Sequence, residues 1–300
     1  MSLSGVIPPL VTPLTEEEEL DEDALRWHVN YLIKEGVHGV FCLGSTGEFP
    51  YLSEEERSRV AEVVVDEAGG RVPVIVGVSH HSCRVAAKLA RRAERIGADA
   101  LIAIIPSYFP VTDDMAYEYY VRLAEATSLP LLIYNFPAVT NFDIKPETVA
   151  KLAEVENIVG IKDTVTDPQH TMRVLELVPE DFAVFPGSEL TMQASMEAGA
   201  KGMIFGTSNI DPKPAIRIYE AYKSGDLEKA RTLLPDATKL LQLLTLAPTE
   251  YLPAIIKNAM KLTGKPINPT VRKPLPNLSS QQIEKLKETL KKLSLLKEGE

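Results

Sequence analysis

Lys162 closes the run "NIVGIKD" (157–163), which reads as a buried strand, and lysine is among the residues least often buried without a partner. Side chains alternate faces along a strand, so an inward Lys162 places Gly160 and Ile158 inward too, with Val159 and Ile161 toward the helices. Gly160 then leaves a gap beneath the lysine stem. A free lysine has a pKa of about 10.4, and burial disfavours the ammonium and lowers that value. A depressed pKa is what a Schiff-base nucleophile needs. The plain alternative is a structural lysine paired with a carboxylate such as Asp163. Tyr134, in "PLLIYNF" (130–136), takes the matching place on the preceding strand. Its phenol there suits proton exchange with a substrate oxygen, or else simple packing with a satisfied hydroxyl. "GSTGE" (44–48) sets Ser45 and Thr46 between two glycines. Amides and hydroxyls exposed at a strand-to-helix turn make a carboxylate site; the alternative is an ordinary glycine-rich turn.

Positioning these groups falls to a regular alternation of elements. Strand candidates are "GVIPPLV" (5–11), "GVHGVFCLG" (36–44), "VPVIVGV" (72–78), "ADALIAII" (98–105), residues 130–136, residues 157–163, "FAVFPG" (182–187) and "AKGMIFGT" (200–207). Continuous apolar runs, rather than alternating ones, predict parallel strands covered on both faces. The intervening helices have readable ends. Ser53 and Glu56 spell a capping box, and Gly69-Gly70 a helix stop. Eight strand–helix pairs predict an α/β fold, a (β/α)8 TIM barrel, which typically needs about 250 residues. A doubly wound open sheet competes, but no strand is followed by the G-x-G-x-x-G turn. Residues 1–223 are read as the barrel and 224–300 as a C-terminal region of three helices packed on it, with a proline-rich connector at 265–278. A barrel concentrates chemistry at the C-terminal strand ends. Those ends are "GSTGE", "IPSYFP" (105–110), "YNFP" (134–137), Lys162, "PGSE" (186–189) and "FGTSN" (205–209).

Composition excludes several classes. With 32 basic and 42 acidic residues the net charge is −10, which argues against nucleic acid or an anionic membrane as partner. Cys42 and Cys83 are too few for a disulfide framework or a CxxC metal site, and point to a reducing cytoplasm. "MSLSGVIPPLVTP" has neither the basic start nor the apolar stretch of a signal peptide, and no window approaches a membrane span. The five histidines form no metal-binding pattern, and His80-His81 read as surface or structural. Neither a phosphate-binding P-loop nor a GxSxG nucleophile elbow is present.

Taken together, "GSTGE", "YNFP" and "GIKDT", in this order and at these strands, resemble the dihydrodipicolinate synthase / N-acetylneuraminate lyase superfamily of class I pyruvate-dependent aldolases. The resemblance runs from about residue 4 to the C-terminal helices. It implies that Lys162 forms an imine with pyruvate and that Tyr134 transfers protons. It further implies that Ser45 completes a relay with Tyr108, a tyrosine lent by a neighbouring subunit, that Thr46 holds the pyruvate carboxylate, and that Gly187, Ser188 and Ile204 join the substrate site. No metal or organic cofactor is implied, and the assembly expected is a homotetramer, a dimer of dimers. The sequence departs from the synthase pattern in two places. The synthases usually carry an arginine two residues after the proline of the strand-5 motif, where this chain has Val139. Ser107 stands where a second tyrosine is common. Losing that arginine removes a charge-assisted pair worth about 1.5–3 kcal/mol to a charged aldehyde. "YNFPAVTN", "GIKDT" and "PGSE" are closer to the 2-keto-3-deoxygluconate and galactonate aldolases, whose acceptor is neutral glyceraldehyde. Glu189 and Thr207 to Asn209 offer contacts to its hydroxyls. The rivals are dihydrodipicolinate synthesis or dehydration at the same imine, and a barrel kept as a non-enzymatic scaffold.

Overall fold

The computed structural model describes residues 3–296. In chain order the main elements are β1 (Gly5–Val6), α1 (Glu22–Glu35), β2 (Val40–Cys42), α2 (Glu54–Ala68), β3 (Val74–Gly77), α3 (Cys83–Arg95), β4 (Ala100–Ile104), α4 (Asp113–Ala124), β5 (Leu131–Asn135), α5 (Pro137–Thr140) and α6 (Pro146–Leu152). There follow β6 (Ile158–Asp163), α7 (Pro168–Leu177), β7 (Ala183–Pro186), α8 (Met192–Glu197), β8 (Gly202–Met203) and α9 (Lys213–Lys223). The C-terminal helices are α10 (Leu227–Thr238), α11 (Leu241–Leu244), α12 (Leu252–Leu262) and α13 (Ser280–Lys292).

Strands β2 to β7 form one parallel ladder in sequence order, and β1 pairs in parallel with β8. Backbone bonds run across the joins. Lys201 N–H donates to Val184 O (3.0 Å) and Ile204 N–H to Pro186 O (3.1 Å), while Phe41 N–H donates to Pro8 O (3.0 Å). The sheet is therefore a curled parallel one. Its inner face buries Ile75, Ile102, Leu132 and Phe185. Its outer face buries Val74, Val76, Ile133 and Ile161 with the surrounding helices. Burial on both sides is why the strand runs are continuously apolar. β1 is shorter than residues 5–11 because Pro8 and Pro9 have no N–H to give a ladder. Beyond them the chain still lies along β2, with Leu10 N–H on Phe41 O at 2.7 Å. The capping box at α2 forms as predicted, Ser53 Oγ accepting from Glu56 N–H and Glu56 from Ser53 N–H.

Strand β6 departs from simple alternation. Leu131 pairs with Ile158 but Leu132 pairs with Gly160, so Val159 is an extra residue in a β-bulge. Ile158 consequently packs with the helix-facing cluster and Val159 against the inner one, the reverse of the expected assignment. Nor does Gly160 leave a gap below the lysine. A Cβ there would sit 2.3 Å from Ala183 O, so the glycine lets β7 come close.

The C-terminal region is more divided than three helices. The first expected helix breaks after Thr238, and the turn aims both Leu240 and Leu243 inward. Residues 297–300 of this region lie outside those described. The region shares its core with the sheet and helices before it: Ile255, Ile256 and Leu286 cluster with Val11, Ala24 and Ile210, and Ala230 and Ala237 with Met203 and Ile218.

Gly160→Ala should lower the unfolding free energy by about 1–3 kcal/mol, the usual cost of overpacking, as read from urea denaturation. An unchanged midpoint would mean that β7 yields freely.

Candidate active site

Lys162 and Tyr134 are direct partners across the β5–β6 ladder, so both side chains rise from the inner face at one height. Lys162 Nζ donates a hydrogen bond to the Tyr134 hydroxyl at 3.1 Å, and that hydroxyl lies 3.3 Å from Ser45 Oγ. The lysine is 4% exposed and the tyrosine 3%. Nζ also lies 4.2 Å from the Tyr134 ring centroid and 5.5 Å from that of Phe41. Phe136 stacks on Tyr134 with ring centroids 6.2 Å apart. A carboxylate in contact would hold a lysine as its ammonium. Among the described residues Lys162 makes no ion pair within 4.0 Å. Asp163, the partner offered by the plain alternative, points the other way. It accepts from Asn135 Nδ2 (2.8 Å), from the Thr171 hydroxyl (2.6 Å) and from His170 Nδ1 (2.9 Å).

The "GSTGE" turn needs both glycines for close approach. A Cβ on Gly44 would lie 2.7 Å from the Phe41 ring, and one on Gly47 would lie 2.9 Å from Leu10 O. The turn is tied to the segment that follows β1 by the Thr12 hydroxyl, which donates to Gly47 O at 2.7 Å. Thr46 is buried, with its hydroxyl 3.4 Å from where a Gly206 Cβ would be. Across the site, a Cβ on Gly187 would collide with Thr164 Oγ1 and come within 3.1 Å of Lys162 Cε, so only glycine fits beside the lysine. Thr164 Oγ1 is buried without a hydrogen-bond partner among the described residues. Glu189 is buried and accepts from the Thr207 hydroxyl. Burial pushes its carboxyl above the usual range, against the Thr207 bond and the charge of Lys162.

The remaining expected residues fare differently. Ser188 Oγ accepts from Leu190 N–H at 3.3 Å, which engages it in its own turn. Ile204 is wholly buried in the inner apolar cluster with Phe41 and Tyr134. Tyr108 is 81% exposed, packed edge-on to Phe109, and its hydroxyl makes no bond to Ser45 within this chain. A cavity of about 700 Å³ meets the site at Ser45 and Phe136 and is lined further by Arg57, Ser107, Val139 and Leu275. His80 and His81 lie on its wall. Among the described residues no histidine, cysteine and carboxylate group assembles into a metal site.

Sequence reasoning missed two groups. One is His170, whose Nδ1 faces Asp163 and whose Nε2 faces Ile144 O at 2.7 Å. A histidine three positions into a helix carries no period-based signal of its strand partner. The other is the ion pair between Glu48 and Lys257, separated by most of the chain.

The sequence profile of the Dihydrodipicolinate synthetase family matches residues 2–293. The chain is 40% identical to a 4-hydroxy-tetrahydrodipicolinate synthase of Methanopyrus kandleri, over 99% of this chain and 98% of that one. It is 37% identical to the probable 2-dehydro-3-deoxy-D-pentonate aldolase YjhH of Escherichia coli, over 94% and 95%. Among solved structures, it superposes with a TM-score of 0.92 at 32% identity on YagE of E. coli in complex with pyruvate, covering 98% and 99% of the two chains. The dihydrodipicolinate synthase of Thermotoga maritima gives a TM-score of 0.93 at 32% identity, covering 99% and 100%. A strand-end lysine beside a phenol thus belongs to a parallel α/β enzyme of the imine-forming kind, and the chain is a member of the dihydrodipicolinate synthetase family. It is accordingly a lyase that carries pyruvate as a Schiff base on a lysine, without an external cofactor.

Both ring nitrogens of His170 face acceptors, which favours the doubly protonated imidazolium. Burial pulls its pKa down, but the bond to Asp163 and the charges of Asp163 and Asp143 outweigh it and push it up to about 9. The resulting stabilisation is full below the unfolded value near 6.5 and is lost as pH rises through about 9. Between those limits the protein should lose about 3 kcal/mol of unfolding free energy relative to His170→Asn. Parallel pH profiles for the two proteins in urea titrations would contradict this.

Proposed function

We propose that the eight strands close into a (β/α)8 barrel with residues 224–300 packed on it, and that the chain is a class I aldolase for 2-keto-3-deoxy sugar acids, yielding pyruvate and glyceraldehyde. The observation that carries the aldolase reading is Lys162 Nζ, buried without a carboxylate and 3.1 Å from the Tyr134 hydroxyl. The free amine of Lys162 attacks the keto carbon, and Tyr134 gives its proton to the carbinolamine hydroxyl, which leaves as water, so that a protonated imine and the Tyr134 phenolate remain. Tyr134, in contact with Ser45, takes the proton from the 4-hydroxyl. The C3–C4 bond then breaks, its electron pair passes into the imine as an enamine, and the aldehyde leaves. Protonation of the enamine and hydrolysis release pyruvate and the amine. Thr46 holds the pyruvate carboxylate, in keeping with a backbone N–H that donates to no acceptor among the described residues. Gly187 gives the bound keto acid room beside the lysine, with Ser188 and Ile204 bordering it.

The acceptor side rests on Val139, which lines the cavity where a cation would grip a charged aldehyde. Thr164, Glu189 and Thr207 supply polar groups for a hydroxylated one. Tyr108 reaches the Ser45–Tyr134 pair of a neighbouring copy, which suits its exposure; the assembly is a homotetramer acting in the cytoplasm. The second reading is dihydrodipicolinate synthesis. It draws on Arg57, a buried guanidinium on the same cavity wall whose contacts are the carbonyls of Gly77 and Ser79 rather than a carboxylate.

Borohydride reduction in the presence of pyruvate should leave a stable adduct on the peptide carrying Lys162, and Lys162→Arg should abolish it. Tyr134→Phe should lower kcat by roughly 10²–10⁴-fold, the usual contribution of a general acid–base group. An adduct on another lysine would reject the mechanism. In the synthetic direction, glyceraldehyde should be condensed with pyruvate at a kcat/KM at least about tenfold above that for aspartate semialdehyde, given the missing charge-assisted pair. The reverse order would establish the synthase reading.

A further inference from the structure

The last residue of "GSTGE" has so far no role. Glu48 is buried, and it adopts a left-handed backbone conformation with φ of 59°, uncommon for a residue with a side chain. Its carboxylate holds that conformation from two sides. Oε2 accepts from Arg272 N–H at 2.7 Å. Oε1 lies 2.5 Å from Lys257 Nζ, off the line of a good hydrogen bond, so the attraction is chiefly coulombic. Both side chains are 0% exposed. The ammonium donates in addition to Thr270 O at 2.7 Å. The neighbouring residue on α12, Ile256, approaches Gly206 within 3.1 Å of a Cβ position that is itself 3.4 Å from Thr46 Oγ1. One turn of α12 thus bears on the Ser45–Thr46 turn twice, through the charge of Lys257 and the side chain of Ile256.

A fully buried ion pair is weak evidence of stability, because desolvation offsets the attraction and apolar replacements often serve as well. What such a pair supplies that apolar packing does not is a fixed geometry. We propose that Lys257 and Glu48 are positioning residues that set the "GSTGE" turn, and with it Ser45 and Thr46, so that the C-terminal segment 252–272 forms part of the apparatus that binds the keto acid. The inference rests on the reading of that turn as the pyruvate site.

The test is the pyruvate concentration that gives half-maximal borohydride trapping on Lys162 in the intact protein. Glu48→Gln is the primary variant. It keeps the shape and the acceptor for Arg272, and Lys257, whose pKa burial already lowers, can shed its proton and keep Thr270. The double variant Glu48→Gln/Lys257→Met removes both charges. Trapping should still occur on Lys162 at saturating pyruvate in both, with half-saturation raised at least tenfold and with melting temperatures close to that of the unaltered protein. A lowered melting temperature with unchanged half-saturation would make the pair merely structural and overturn the proposal. So would a melting temperature and half-saturation both unchanged. If the unaltered protein forms no adduct on Lys162, the reading of the active site fails first, and that result is distinct from either.

Discussion

The contact between Lys162 Nζ and the Tyr134 hydroxyl depends on one extra residue in β6. Leu131 stands opposite Ile158, and regular pairing from there would bring Ile161 opposite Tyr134 and Lys162 opposite Asn135, on the helix-facing side. The bulge at Val159 advances the register by one, and a one-residue shift changes the face of every side chain beyond it. Lys162 turns inward onto Tyr134, and Asp163 turns outward onto Asn135. The separation of the amine from the adjacent carboxylate is therefore a consequence of backbone register rather than of side-chain choice.

That separation decides the electrostatics on both faces. Outside, Asp163 accepts from an amide, a hydroxyl and the His170 imidazole, so its charge is engaged on the side away from Lys162. Inside, the buried acid Glu189, which feels the charge of Lys162, is engaged by Thr207. A buried ion pair would have fixed Lys162 as a cation. What surrounds it instead is a phenol and two aromatic faces. Such surroundings draw a positive charge weakly, by about 0.5–2 kcal/mol, and accommodate a positively charged imine in the same place. The anchoring of Asp163 on the outer side is thus part of what leaves the inner side open to the covalent chemistry proposed for Lys162.

Much of this was legible in the sequence because it follows from local rules. Continuous apolar runs gave the parallel strands, Ser53 and Glu56 gave the start of α2, and the strand-end rule narrowed the chemistry to a few turns. Where expectation failed, the cause was an interaction between distant segments. The close approach of Ala183 that requires Gly160 cannot be read from residues 157–163 alone, and neither can the bulge that reverses Ile158 and Val159. The inward face of Lys162 was the premise of the period-two reasoning, which counted back from the lysine and failed only at the bulge below Gly160. Glu48 and Lys257 are 209 positions apart in number (257 − 48), and each looks like an ordinary solvated charge in its own window.

The same distinction separates the two halves of the site. The groups proposed for the keto acid sit on strand ends whose places are fixed by register and by glycines that admit no side chain, at 44, 47 and 187. Change there is resisted sterically. Of the groups proposed for the aldehyde, Val139 stands on the short helix α5 at the wall of a cavity of about 700 Å³ and is 40% exposed, where a substitution disturbs little packing. A chain built this way can keep its imine chemistry while its acceptor changes. That fits similarity, at comparable identity, to proteins named as a dihydrodipicolinate synthase and as a pentonate aldolase. Identity over the whole chain counts every position alike, so it discriminates poorly between acceptors; in the proposed reading that information lies with the few residues on the cavity wall, Val139 and Arg57 first among them.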